Sequence, residues 1–360
     1  MPSELRKTGA APAKANSELI EPPSVKLIVR LFLIPLVIVA AAVGVMFLVG
    51  LLAGREPTLE EALTRLRSAG GERTTSYLVG PASKQRYLDA KTLVDKMKAP
   101  EGLGEAERIT LARDLGDILE HRTSPEEGEV QHFVLLALGR SWQKHPSQPP
   151  MMSTEAVASR KSVIDLLNRY MDAPQVMTRK AAVLASVYLA GQPEASALFP
   201  KLLDKLQDGQ EDVDVRIAAA TVLGPLADPQ NSTVIAALNR AMNDTDERQS
   251  ELVWSAALSL AELNQPNVAD TILKLLDRTE LAGLKYYDRE SDPQNPTFRP
   301  MNDREQERIL INTMLGAKKL DVKPVQDRIR EIAKNDPSAR VRAAAAEVLA
   351  GSSRSSIAGE

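Results

Sequence analysis

The chain of 360 residues contains no cysteine. Disulfides, thiolate metal sites and cysteine nucleophiles are therefore excluded, and because cysteine-free chains occur on both sides of membranes the absence places nothing. Aromatic residues are scarce too, at 4% against 43% apolar residues overall. The strands of a sandwich or barrel draw on Val, Ile, Tyr and Phe, so an alanine-rich, aromatic-poor chain favours close-packed helices. Neither sign of charge dominates: 45 Lys and Arg stand against 48 Asp and Glu. A nucleic-acid binder would show a basic excess or stripe; none is visible, and nucleic acid is not an expected partner.

Chemistry-bearing constellations are missing as well. The three histidines, His121, His132 and His145, are too far apart for one helical ligand face. His121 and His132 flank a TSPEEGEV turn beside Glu126 and Glu127, which leaves room for a metal site; solvated residues at helix ends are the stronger reading. Gly102-Leu-Gly104 lacks the third glycine and the preceding strand of a phosphate-binding loop. The acidic run from Asp208 to Asp214 lacks calcium-loop spacing and reads as an inter-repeat turn. Asn231-Ser-Thr233 and Asn243-Asp-Thr245 match the glycosylation sequon, a number that chance supplies in a chain of this length. No catalytic, cofactor or metal residue is assigned, and no enzyme is expected.

What the chain does contain begins with a run of 23 uncharged residues, LFLIPLVIVAAAVGVMFLVGLLA, from Leu31 to Ala53. About 20 apolar residues cross a bilayer as a helix, and Pro35 and Gly44 are tolerated in such helices. A signal peptide has a shorter apolar region of roughly 7–15 residues and a small-residue cleavage site; this run is longer, starts later and continues into Gly54 and Arg55. A retained transmembrane helix over 26–54 is the expectation, preferred over a signal peptide or a buried core helix. Lys26 and Arg30 sit tight against its start, whereas Arg55 alone does so at its end. The positive-inside rule then leans towards a cytoplasmic N-terminus with the larger part outside the cytoplasm. Residues 1–25, low in apolar content and rich in Ala, Pro and charge, read as a disordered tail.

Thr58-Leu-Glu-Glu61 forms a capping box in sequence, followed by an amphipathic helix with Leu59, Leu63 and Leu66 on one face. Gly70-Gly71 ends it, so 55–82 reads as a short helix and linker. From there on, apolar-periodic segments of helical length alternate with Pro, Gly, Asp and Asn. TRKAAVLASVYLAG (178–191), VRIAAATVLGPLAD (215–228), VWSAALSLAELNQ (253–265), RILINTMLGAKKL (308–320) and VRAAAAEVLAG (341–351) are variants of one small-residue helix. Aligned at Arg179, Arg216, Val253, Arg308 and Arg342, they are offset by 37, 37, 55 and 34 residues. These arginines could line an anion-binding groove; bonds to neighbouring turns, for example near Asp212, are the stronger reading.

The segments Asp212-Val-Asp-Val-Arg216-Ile-Ala-Ala-Ala and Asp336-Pro-Ser-Ala-Arg-Val341-Arg342-Ala-Ala-Ala resemble HEAT repeats, in the short form shared with phycobilisome-lyase-type HEAT-like repeats. The resemblance covers 174–351 well and 84–171 loosely. It implies a HEAT-like α-solenoid over 83–351; with the transmembrane helix read from the apolar run and a disordered tail over 352–360, the expected fold is all-α. Deoxyhypusine hydroxylases, which resemble this repeat pattern, carry His-Glu pairs holding a di-iron centre; no His-Glu dipeptide occurs here. The bilin lyases share the scaffold, and only the scaffold is recognisable in this chain. A solenoid implies an extended concave face and protein partners.

One offset is larger than the rest. Between Val253 and Arg308 about 18 extra residues interrupt the array, an insertion loop over about 279–302 that contains LKYYDRESDPQNPTFRP. Asp292-Pro293, Asn295-Pro296 and Arg299-Pro300 exclude a continuing helix. Tyr286, Tyr287, Arg289, Phe298 and Arg299 are residue types favoured at interface hot spots and form the candidate partner-binding loop. Folding of the aromatics back over neighbouring repeats is the competing and stronger reading. The expected function is a non-catalytic, membrane-anchored scaffold that binds a protein partner, with the bilayer engaged through Leu31–Ala53. The alternatives are an auxiliary subunit whose transmembrane helix makes the specific contact and, more remotely, a lyase-type enzyme.

Overall fold

The amide of Glu61 donates to Thr58 Oγ1 (3.2 Å) and the amide of Thr58 donates to Glu61 Oε2 (3.0 Å), closing the expected capping box. It starts α1 (Leu59–Ser68), whose Ala62, Leu63 and Leu66 are buried. In this computed structural model the described residues are 57–68, 81–97, 103–124, 126–144, 153–246, 249–287 and 297–357. The expected tail over 1–25 and membrane helix over 26–54 lie outside them. Among the described residues, no helix is long and apolar enough to cross a membrane.

After α1 come α2 (Pro81–Lys96), α3 (Glu105–Asp117), α4 (Gly128–Ser141), α5 (Thr154–Tyr170), α6 (Val176–Ala185), α7 (Phe199–Gln207), α8 (Val213–Leu226), α9 (Ser232–Met242), α10 (Ser250–Glu262) and α11 (Ala269–Leu275). The insertion adds α12 (Arg278–Gly283), β1 (Lys285–Tyr287) and β2 (Phe298–Pro300), before α13 (Asp303–Gly316), α14 (Lys323–Asn335) and α15 (Ala339–Ile357). Side-chain caps start several of them: Ser153 accepts from the Ala156 amide, Asp212 from Asp214 and Asn231 from Val234.

The helices form two layers. Layer one stacks α2, α4, α6, α8, α10, α13 and α15, and the remaining long helices pack behind it, each against its neighbours in layer one. This is the helix-pair solenoid that the repeat pattern implies. Buried leucine, valine and alanine run continuously from Ala62 to Val348. Each fully buried leucine contributes about 1.5–3 kcal/mol.

Small residues set how closely layer one packs. A Cβ on Gly139, the twelfth residue of α4, would collide with the carbonyl oxygen of Ala185, the tenth residue of α6. Two seams on, Gly224, twelfth in α8, would place a Cβ 2.8–2.9 Å from Ser259, tenth in α10. Pro225 lies in the last turn of α8 and has no N–H to give the Thr221 carbonyl. The Ser259 hydroxyl reaches the same turn, donating to Ala220 O at 2.7 Å and lying 3.4 Å from Thr221 O.

Two findings refine the expected boundaries. The insertion is more than a loop, because Lys285 pairs with Pro300, Tyr286 with Arg299 and Tyr287 with Phe298 in an antiparallel hairpin. Fold class is therefore helical with one two-stranded hairpin among the described residues. Alternation of apolar and polar residues is too brief in three-residue strands to mark them in sequence. In addition, α15 continues to Ile357, past the boundary at 351. A lone glycine such as Gly351 costs a helix only about 1 kcal/mol relative to alanine, which does not suffice to stop it.

Candidate protein-binding face

On layer two, Glu155, Lys161, Asp165 and Arg169 of α5 and Asp327, Arg330, Glu331 and Lys334 of α14 are exposed, with Phe199, Leu203, Ile235 and Leu273 half-buried on the helices between them. Layer one carries a longer row of half-buried apolar and aromatic side chains: Phe133, Leu136, Leu184, Tyr188, Ile217, Trp254 and Leu258. Leu136, Leu184 and Leu258 occupy the ninth position of α4, α6 and α10, so one leucine recurs on three of four consecutive steps of the ladder, Thr221 standing there in α8. Aromatic groups are fixed by their neighbours. Tyr87 meets Phe133 edge-on with ring centroids 5.4 Å apart, and the Arg140 guanidinium lies 4.8 Å from the Tyr188 ring centre while donating to its hydroxyl at 2.8 Å.

A wedge of about 360 Å³ opens in this layer between α10 and α13. Its apolar wall comprises Ile217, Trp254, Leu258, Leu275 and Ile309, and Ser255 and Asn312 contribute polar groups. Charges at the wall are closed on one another. Lys180 Nζ lies 2.8 Å from Asp214 Oδ2, and Arg308 Nη2 lies 3.8 Å from Glu251 Oε1. The volume falls in the lower part of the roughly 300–1,000 Å³ range of binding pockets. Sequence reasoning missed this place. Its signal was Trp254, a large aromatic in the turn where the neighbouring helices place Lys180 and Ile217.

The geometry of the wedge comes from a slip in the stack. In the α6/α8 seam Lys180, fifth in its helix, meets Asp214, second in its own. In the α10/α13 seam Glu251, second, meets Arg308, sixth, and Leu258, ninth, would touch a Cβ on Gly316, fourteenth. Regular seams thus lag by two or three residues, whereas this one leads by four or five. The difference of about seven residues corresponds to about 10 Å along the helix axis.

The inserted elements hold α13 in this position. Arg278 of α12 makes a bidentate pair with Asp336, at 2.8 and 2.9 Å, next to the start of α15. Asp277 caps α12 and pairs with Arg328 of α14 at 2.9 Å. Arg299 on β2 donates to both Glu305 oxygens, at 2.8 and 2.6 Å. Glu305 also closes the capping box of α13 with Asn302. The Arg299 guanidinium, helped by the Asn302 amide, holds the Glu305 carboxyl down to about 2 although partial burial opposes this.

The candidate loop residues resolve into separate roles. Tyr287 and Phe298 face each other across the hairpin with ring centroids 5.9 Å apart, so this pair stabilises the hairpin itself. Tyr286 pairs in register with Arg299. Arg299 is committed to Glu305, and Arg289 lies outside the described residues. A further hollow of about 450 Å³ at the hairpin foot is lined by Phe298, Arg299, Pro300 and the end of α12.

The arginine ladder divides likewise. Arg179 donates to the carbonyls of Ala173 and Pro174, and Arg342 to those of Asp336 and Pro337. Arg216 donates to Leu206 O and to the Gln249 side chain. These three bind turns. Arg308 does not share that role, and the fourth position of α13, where the others sit, is Gln306, which donates to Met301 O. Counted there, the offsets become 37, 37, 53 and 36. The alignment drifted by two residues because an insertion precedes α13.

Among the described residues no group of three or more His, Asp or Glu side chains could hold a metal ion. His145 lies outside those residues, while His121 is exposed and His132 is half-buried in α4.

Residues 199–285, from α7 to the first strand, match the family model described as HEAT repeats. With the paired helices around it, this match supports a HEAT repeat protein, a class that generally serves as a protein-interaction scaffold. No curated protein matches the chain.

Proposed function

We propose that this chain is a membrane-tethered scaffold that captures a protein partner on layer one of its solenoid and performs no catalysis itself. The observation that carries the reading is a row of half-buried apolar side chains on layer one, where Leu136, Leu184, Ile217 and Trp254 follow one another along successive helices. An elongated array gives an extended partner several such contacts in a row. Aromatic residues held by neighbours add contact area at small entropic cost. The tether rests on the sequence run Leu31–Ala53 and its hydrophobic length. It leaves the larger part of the chain outside the cytoplasm. The phycobilisome-lyase-type likeness of the Asp212 and Asp336 segments contributes the scaffold alone.

Proximity labelling from the full chain, compared with Leu136→Glu/Leu184→Glu and with a form lacking Leu31–Ala53, tests this. Proteins enriched by the wild type and lost from both variants support it, provided the double variant melts cooperatively. Enrichment that survives the double variant removes the layer-one face from consideration. Replacing Leu31–Ala53 by an unrelated apolar span separates a tether, which tolerates the swap, from a subunit contact, which does not.

A further inference from the structure

We infer that the wedge between α10 and α13 takes a neutral, extended segment of a partner polypeptide and seats one large apolar side chain against Trp254. This rests on the scaffold reading and names the partner's chemistry at one place on the same face. Three observations select that occupant. First, the slip of α13 opens about 360 Å³ bounded by Ile217, Trp254, Leu258 and Ile309, apolar surface that a large aliphatic or aromatic side chain would remove from water.

Second, the balance of charge at the wall favours a neutral segment. The four ionisable groups at the wall already form the pairs Lys180–Asp214 and Arg308–Glu251, one of each sign in each pair. A phosphorylated, acidic or basic segment would find no net charge at this wall to attract it and would have to compete with one of these pairs. A segment without net charge leaves both intact.

Third, Ser255 and Asn312 line the wedge with no side-chain hydrogen bond to any described residue. A carboxamide offers donors and an acceptor together, the complement of one peptide group in extended backbone. Helical backbone keeps those groups to itself, so Asn312 favours an extended segment. The side chain would enter between α10 and α13 while its main chain runs past Asn312.

Selection of short random peptides displayed on phage against the intact chain tests this. Support requires that enriched peptides share a large apolar residue and carry no net charge. Their synthetic copies should shift Trp254 emission, the other tryptophan, Trp142, being 1% exposed and insensitive. Affinity should change little between low and high salt. Asn312→Arg, on an exposed position, should weaken binding at least about tenfold at unchanged melting temperature. Enrichment of charged peptides overturns the inference, as does binding indifferent to Asn312→Arg or the absence of any enriched peptide. Loss of partner labelling in Leu136→Glu/Leu184→Glu with no loss in Asn312→Arg sinks the wedge and leaves the scaffold standing.

Discussion

In the α8/α10 seam a glycine lies against a serine whose hydroxyl bonds the facing backbone. In the α10/α13 seam a leucine meets a glycine, two charged groups reach across at 3.8 Å, and a wedge stays open. The first seam is closed by residues too small to hold helices apart, and its register follows from the repeat. The second takes its register from the inserted elements, with α12 paired to Arg328 of α14 and to Asp336 between α14 and α15, and the hairpin paired to Glu305 of α13. A repeat array thus gains a local irregularity without breaking its core, because inserted elements supply the contacts that the shifted helix forgoes.

The closed seams should be the more fragile to added volume. Gly139→Val would drive a branched side chain into the Ala185 backbone, which cannot rotate away, and is expected to cost about 3 kcal/mol or more. Thermal unfolding should show a shift of several degrees. Gly209→Ala, with nothing within 4 Å of the added Cβ, is the matched control and should be near neutral. Equal effects of the two would break the contrast between close-packed seams and open turns.

The clamp should come next. Asp336 is 8% exposed and accepts two bonds from Arg278 and one from the Ser338 amide; burial raises its carboxyl, but these partners bring it below its ordinary value. Asp336→Ala leaves Arg278 without its counter-charge and is expected to cost about 3 kcal/mol. Hydrogen exchange should rise in α12, α14 and α15 while α4 and α6 stay protected. Uniform loosening throughout would show that the clamp is not local.

A smaller effect is expected at the hairpin latch. Glu305→Gln keeps shape but loses the charge that binds Arg299 and part of the α13 cap, and should cost roughly 1–2 kcal/mol. Because the folded carboxyl is depressed to about 2, its contribution is present above the unfolded value near 4.3 and is lost as pH falls towards 2. Stability of the wild type should therefore fall more steeply below about pH 4 than that of Glu305→Gln. Parallel profiles would mean that the latch carries no charge-dependent stability.

How much of this was legible beforehand follows from what repeats encode. Ala182, Ala219 and Ala256 recur because each must admit a neighbouring helix, so the layers could be read from spacing alone. The capping box at Thr58 and Glu61 was equally readable, being local. The slip was not, since Arg308 looks like a ladder arginine until the start of α13 is known, and that start depends on the Asn302–Glu305 cap after an irregular stretch. Tyr287 and Phe298 were legible as aromatic but not as partners, because strand pairing across eleven positions leaves no periodic trace. Trp254 was overlooked for a related reason. A tryptophan on a helix reads as core, and only the displacement of α13 turns its ring into the wall of an opening.

The smallest expected effect concerns the regular α4/α6 seam. His132 is half-buried there, beside Phe133 with ring centroids 5.0 Å apart, and its Nδ1 has no hydrogen-bond partner among the described residues. Burial pushes the imidazole below its ordinary value and Lys180 of α6 adds to this, while the Met177 carbonyl and Glu129 oppose it. The folded state therefore holds fewer protons than the unfolded one between the depressed value and the ordinary value near 6.5. Its stabilising contribution is complete above that ordinary value and declines as pH falls through the folded one. One group changes stability by at most about 1.4 kcal/mol per pH unit, so the loss is confined to mildly acidic solution. Denaturant unfolding of wild type and His132→Leu at pH 7.5 and 5.5 should show the difference between them shifting in favour of the variant at the lower pH. A shift towards the wild type would mean that the Met177 carbonyl and Glu129 outweigh burial. The α4/α6 seam would then tighten, not loosen, on protonation.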